Sequence, residues 1–323
     1  MKPIAIIFSD LHLNMWSKFN EGNARTLNHF KVLSCVSEIC IKQHIPALFC
    51  GDLFHKADSI SIELLELIVE QFRDYDFPVD NYFKVFSISG NHDIKLVNTI
   101  KAPKYSLVKW LSYQYHWFKC IDFLSVPIAP NIMVHGVPYI DHNIGLSEYL
   151  KGIEFVEGYK NILLLHTDYP GAKDTDGREI DSVENLNINT LNRFDLVLCG
   201  HIHKPQRLSK KVYMIGAPLQ QRRTDAKCKL GYWELYPDLS VKFRELEDFP
   251  KFIDVESKDE IKEDGNYYTV LPKKTSVQVN SDHNITKQLS KKSLAKQYMK
   301  ERGISDKKKK NLLIDILNKA ESC

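Results

Sequence analysis

Through the first half of the chain, short runs of Ile, Val, Leu and Phe alternate with longer stretches in which apolar residues recur every three or four positions. This is the pattern of strands alternating with helices in layers around a central sheet. "PIAIIFSD" predicts a first strand and "ALFCGD" a second. Between them, Leu27, Phe30, Leu33, Val36 and Cys40 share one face of a helix over 26–43. A second helix is expected over 59–74, with Leu64, Leu65, Ile68 and Phe72 on one face and Ser59 or Ser61 as its cap. "YFKVFSISGNHD" reads as another strand and its turn.

The second half is richer in strands: "NIMVHGVPY", "NILLLHTDY", "FDLVLCGHIH", "KVYMIGAP", "GYWELY" and "VKFREL". The last two are joined by "PDLS" and predict a hairpin whose turn is set by Pro237 and Asp238. From about Lys251 the character changes. "VESKDEIKEDGN" suits a surface loop or boundary, and "NYYTVL" one more strand. Beyond "VNSDHN" the chain is lysine-rich and carries two short helical patterns broken at Gly303. Residues 1–250 are therefore read as one large domain, 251–285 as a short cap or linker and 286–323 as a helix pair.

Composition narrows the class. With 43% hydrophobic and 26% charged residues, 323 residues can bury a large core. The first residues have too short an apolar run for a secretion signal, and no stretch is long enough to span a membrane, so a cytoplasmic location is expected. Seven cysteines, without a C-x-x-C pair, suit reduced thiols. A net charge of +3 is too small to mark a nucleic-acid binder, so any such role depends on where charge sits.

The chemistry gathers where strands end. Asp10-Leu11-His12, Gly51-Asp52-Leu53-Phe54-His55, Gly90-Asn91-His92-Asp93, His166 and Gly200-His201-Ile202-His203 each close a predicted strand. Ligands of sheets flanked by helices collect at the carboxyl ends of strands, so these groups are expected to converge. In extended backbone, residues i and i+2 point the same way, which lets Asp10 with His12, and His201 with His203, approach one point. Two aspartates, one asparagine and four histidines exceed the four or so ligands of a single zinc and suit two ions sharing a carboxylate. Nitrogen and oxygen donors without thiolate favour Mn²⁺ or Fe²⁺.

The ordered set D-x-H, G-D-x-x-H, G-N-H-D, a lone His and G-H-x-H resembles the calcineurin-like metallophosphoesterases. In the spelling "GDLFH" and "GNHD", it is similar to their SbcD branch, the nuclease subunits of double-strand-break repair complexes. The resemblance implies a four-layer α/β/β/α sandwich of two mixed sheets flanked by helices. It also implies that Asp10, His12 and His203 hold one Mn²⁺, that Asn91, His166 and His201 hold the other, and that Asp52 bridges them. Fe²⁺ and Mg²⁺ are the alternative ions. His92 would stabilise the transition state or protonate the leaving oxygen, and His55 would help to place the cleaved strand. The activity implied is exonuclease and single-strand endonuclease action on DNA. A phosphomonoesterase or cyclic-nucleotide phosphodiesterase, and a catalytically weak scaffold, are the rival readings.

Several residues carry plainer readings. His135, in "NIMVHGVPY", also lies in a strand-like run, but the family pattern places the lone ligand shortly before G-H-x-H and so favours His166. His29, His44, His116, His142 and His283 have no motif context. Arg222, Arg223 and Lys227 are either solvated loop residues or DNA-phosphate contacts. In the tail, Leu312, Leu313, Ile316, Leu317 and Ala320 fall on one helical face, while Lys307 to Lys310 put positive charge at the positive end of that helix. Family members similarly end in a helix pair that binds the coiled coil of an SbcC-type ATPase. The resemblance therefore implies that partner, a homodimer within a heterotetramer and a DNA-associated location. The plainer alternative is a tail packed on its own domain.

Overall fold

Apolar runs without a polar face make strands buried on both sides, and such strands belong between layers. The computed structural model describes residues 1–73, 83–95 and 105–271, and the layers are visible in it. In chain order its elements are β1 (Ala5–Phe8), α1 (Ala24–Gln43), β2 (Ala47–Phe49), α2 (Ile62–Arg73), β3 (Val85–Ser87), α3 (Leu107–Gln114), β4 (Phe118–Cys120), β5 (Ser125–Ala129) and β6 (Ile132–Val137). There follow α4 (Leu146–Gly152), β7 (Lys160–His166), β8 (Leu196–Gly200), β9 (Gln206–Arg207), β10 (Val212–Met214), β11 (Gly231–Leu235), β12 (Val241–Glu245), β13 (Phe252–Val255) and β14 (Tyr267–Val270).

Two mixed sheets form. The first has the order β12-β11-β1-β2-β3-β4, parallel from β1 to β4 and antiparallel at β11 and β12. The second has the order β5-β6-β7-β8-β10-β9, with a parallel centre and antiparallel edges. The two-residue period of a strand sorts the side chains. Ala5 and Ile7 of β1 meet Ile162 and Leu164 of β7 and Leu196 and Leu198 of β8 between the sheets. Ile6 and Phe8 turn the other way, onto Phe30, Val36 and Ile68 of α1 and α2. Leu163, Leu165 and Val197 cover the far side of the second sheet together with Leu146 and Leu150 of α4. The result is the expected four-layer α/β/β/α sandwich.

The boundaries differ in detail. Helix α2 begins at Ile62, not near Ser59, because the Ser61 hydroxyl accepts a hydrogen bond from the Leu64 amide at 3.3 Å and so caps the first turn. Strands β4, β5, β9 and β13 and helices α3 and α4 are short or only partly apolar and carry no clear periodicity. Residues 1–271 make one compact unit, within which β13 and β14 pair in parallel as a small separate sheet. The helix pair expected over 286–323, and the part of the 251–285 segment beyond residue 271, lie outside the described residues. Among the described residues, no helix is long and apolar enough to cross a membrane.

Candidate metal centre

Every motif leaves its strand at the same end of the sandwich. Asp10 and His12 follow β1, Asp52 follows β2, Asn91 and His92 follow β3, His166 is the last residue of β7, and His201 and His203 follow β8. The loops are tied edge to edge: the Asp10 amide donates to Gly51 O at 2.9 Å and the His12 amide to Asp52 O at 3.0 Å. The Asp93 carboxylate then joins two loops, accepting the amides of Asp52, Phe54 and Gly90 at 2.8, 2.8 and 2.9 Å. Asp10, His12, Asp52 and His201 all adopt positive φ, between 52° and 94°, a region that non-glycine residues enter only at a cost of about 1–2 kcal/mol each. That turn of the backbone aims their side chains at a common point. Gly90 is needed beside them, since a Cβ there would fall on the Asp52 carboxylate.

The side chains form two adjoining groups. Asp10, His12 and His203 offer ligand atoms that all lie within 4.8 Å of one another, and so do Asp52, His166 and His201. Asp52 stands between them: its Oδ2 is 3.6 Å from His12 Nε2 and 3.3 Å from His166 Nε2. Asn91 Oδ1 joins the second group, 3.1 Å from His166 Nε2 and 3.0 Å from His201 Nδ1. All seven residues singled out as ligands are thus brought together.

The donor set fits cations. His12 Nε2 and His203 Nε2 face each other at 3.1 Å, while among the described residues His12 Nδ1 is buried with no hydrogen-bond partner and His203 Nδ1 has only the Asp225 carboxylate, at 3.7 Å. A proton or a metal ion has to sit at that convergence, because two facing lone pairs repel. Burial holds His12 well below the ordinary imidazole range and His201 down to about 3, so both present lone pairs. Burial likewise opposes protonation of His166, but the Asp52 carboxylate outweighs it and lifts the ring to about 9. Asp52 is also resisted by burial, and His166 and His12 overcome that resistance and hold it below the usual carboxylate range. Without a metal, a proton fills the need for positive charge. His166 Nδ1 donates to Cys50 O at 2.7 Å, which fixes the tautomer and leaves Nε2 as the ligand atom.

His92 and His55 stand beside the first group. Their rings stack at 5.4 Å and 13°, and His92 Nδ1 reaches His55 O at 2.6 Å. Both line a cleft of 520 Å³, with Trp16, Asp168, Thr175 and Arg222 among its other walls. His135 is elsewhere in function: its two ring nitrogens are taken by Ser125 Oγ at 2.7 Å and Asn161 Oδ1 at 2.9 Å. Arg223 pairs with Asp254 at 2.6 Å, so of the basic loop residues it is Arg222 that lines the cleft.

Three participants had no sequence signal strong enough to name them. Asp225 is fully buried, 3.7 Å from His203 Nδ1. Gln221 Nε2 donates to the backbone oxygen of Asp10. Asp168 Oδ1 lies 3.5 Å from His201 Nε2, and its spacing of two from His166 was the one available hint.

Comparisons with known proteins bear on this geometry. A protein named as a phosphoesterase, 244L of Invertebrate iridescent virus 6, is 21% identical over 213 residues, covering 62% of this chain and 67% of its own. A crystal structure is matched over 75% of this chain and 99% of its own, at 13% identity and a TM-score of 0.47. TT1561 of Thermus thermophilus is 12% identical over 67% of this chain and 90% of its own, with a TM-score of 0.34. Nuclease MPE of Pseudomonas putida is 13% identical over 65% and 67%, with a TM-score of 0.29. Likenesses this distant say nothing about substrate. The family model of the calcineurin-like phosphoesterases matches residues 5–205, the span that carries every strand end described above, and the chain belongs to that family.

Proposed function

We propose that the chain is a Mn²⁺-dependent DNA nuclease of the SbcD type, hydrolysing phosphodiester bonds at DNA ends and in single strands. The observation that carries the two-metal part is Asp52 standing between two groups of nitrogen and oxygen donors. Asp10, His12 and His203 would hold one ion, Asn91, His166 and His201 the other, and Asp52 both. Two divalent ions, when bound, lower the pKa of water and neutralise charge on phosphoryl oxygens. Burial pushes the nearby thiols of Cys50 and Cys199 up, away from thiolate, which leaves a hard donor set suited to Mn²⁺ or Fe²⁺.

The chain's own groups then orient and protonate. With Nδ1 on His55 O, His92 has Nε2 left for the cleft, where it would stabilise the transition state or hand a proton to the leaving oxygen. Asp225 and Cys50 O orient His203 and His166. Among the described residues of the cleft wall the one guanidinium, Arg222, is paired with Asp225, which leaves no free arginine to clamp the second negative charge of a monoester. With this reading go an ATPase partner bound through residues 286–323, a homodimer in a heterotetramer and a cytoplasmic, DNA-associated location.

The test uses end-labelled duplex and single-stranded DNA with Mn²⁺, Mg²⁺ or chelator, beside a chromogenic diester and a monoester. Degradation with Mn²⁺ that is lost in chelator is expected. Intact DNA beside a hydrolysed monoester would overturn the nuclease assignment. Deletion after residue 285 should abolish ATPase binding and spare Mn²⁺-dependent hydrolysis, with retained binding contradicting the partner assignment.

A further inference from the structure

Arg25 occupies an unexpected place. It lies in the first turn of α1, where the helix dipole disfavours positive charge, and its residue is only 5% exposed. Its guanidinium hydrogen-bonds main-chain carbonyls, Gln221 O at 2.5 Å and Lys18 O at 3.4 Å, and its Nε is buried without a partner. Burying a charge in this way is expensive unless something holds it. What holds it is aromatic: the guanidinium carbon is 3.9 Å from the ring centre of Trp16, 5.3 Å from Phe252 and 5.5 Å from Tyr267.

The contacts continue in both directions. On one side, Trp16 lies 5.2 Å from the His55 ring, and His55 stacks on His92 at 5.4 Å. On the other, Phe252 and Tyr267 belong to β13 and β14, and the small sheet they form is fastened to the first sheet's helix and to the loop behind the centre. Tyr267 Oη accepts from Asn28 Nδ2 at 3.2 Å, the Phe252 amide donates to Gln220 Oε1 at 2.7 Å, and Asp254 pairs with Arg223. A column of flat groups therefore runs from the small sheet through Arg25, Trp16 and His55 to His92.

We infer that Trp16 and Arg25 are positioning residues that hold the His55–His92 stack in register with the metal centre, with β13 and β14 as the abutment of the column. The His55 ring has no hydrogen-bond partner at its buried Nδ1 among the described residues, so its orientation is left to packing against Trp16, His12 and His92. His92 is fixed at Nδ1 by the backbone of His55, so a movement of the His55 segment is a movement of His92. The inference rests on the phosphodiesterase reading for its kinetic consequence, though not for its structural one. It also gives the small sheet a direct line to the reacting groups.

The test combines kinetics with imidazole ¹⁵N–¹H spectra of the full-length, metal-free protein. Trp16→Ala should move the ring signals of His55 and His92 and leave that of His135, held by its own two partners, where it is. With Mn²⁺, kcat on a small chromogenic diester should fall about 10- to 100-fold with KM within about twofold, the cost of a misplaced group. Trp16→Phe, which keeps a flat ring, should restore most of both. Phe252→Ala should move the His55 signal in the same direction by less, and decides the matter if Trp16→Ala does not fold. Unmoved His55 and His92 signals in a folded variant, whatever the change in melting temperature, would overturn the inference. A parent protein that hydrolyses no diester would overturn the functional reading instead, and the spectra would still decide the column.

Discussion

His135 and His12 are both buried histidines of the sandwich, and their surroundings are opposite in kind. His135, inside β6, has Ser125 on one nitrogen and Asn161 on the other, with the rings of Phe155 and Phe194 beside it. His12, beyond the end of β1, has an unpartnered Nδ1, an Nε2 aimed at another histidine nitrogen and a carboxylate at 3.6 Å. A buried polar group normally finds its partners within the protein. The first site obeys that rule and needs nothing more. The second obeys it only when a cation is supplied at Nε2, the nitrogen it turns toward His203. Burial alone therefore does not mark a functional histidine; at His12 the mark is a ring nitrogen converging on another histidine nitrogen and on a carboxylate.

The contrast can be broken most severely at its centre. Asp52→Ala removes the one carboxylate common to both groups, and Mn²⁺-dependent hydrolysis is expected to fall by roughly 10³-fold or more. Activity within tenfold of the parent would show that the shared carboxylate is dispensable. A smaller step separates the two halves. Asp225→Asn leaves every proposed ligand in place but weakens the orientation of His203, so one Mn²⁺ should bind about 10- to 100-fold more weakly and the other normally. Calorimetric titration would resolve the two, and equal weakening of both would place Asp225 outside the first group.

The quiet site provides the control. His135→Ala should lower unfolding free energy by about 1–3 kcal/mol, because Ser125 and Asn161 lose their buried partner, while Mn²⁺ stoichiometry stays unchanged. Loss of metal there would erase the distinction between the two regions. A last effect is confined to acid. Burial holds His29 down to about 4, below its ordinary value, so the native state keeps it neutral. Its contribution is complete above the unfolded value of about 6.5 and is lost as pH falls from there toward about 4, at most about 3 kcal/mol. His29→Gln should flatten that part of the stability curve measured by denaturant melts; an unchanged slope would mean that His29 titrates normally.

How far the sequence carried this picture depended on whether the signal was local. The strands β1, β7 and β8 could be read because each is an apolar run buried on both faces, and the donors could be read because each group follows such a run within a few residues. Asp225 and Gln221 could not, since they reach His203 and Asp10 across the fold from a loop whose composition looks merely polar. The column had no pattern at all: Arg25 meets Gln221 from 196 residues away, and Trp16 and Phe252 are further apart still. The positive φ values at Asp10, His12, Asp52 and His201 were equally hidden, because that conformation ordinarily announces itself by glycine or asparagine.

Anomalous scattering from crystals soaked in Mn²⁺ tests the central claim most directly. Two peaks about 3.5–4 Å apart are expected, with Asp52 touching both, His203 on one and His201 on the other. A single peak, or two peaks that leave Asp52 on only one ion, would contradict the account.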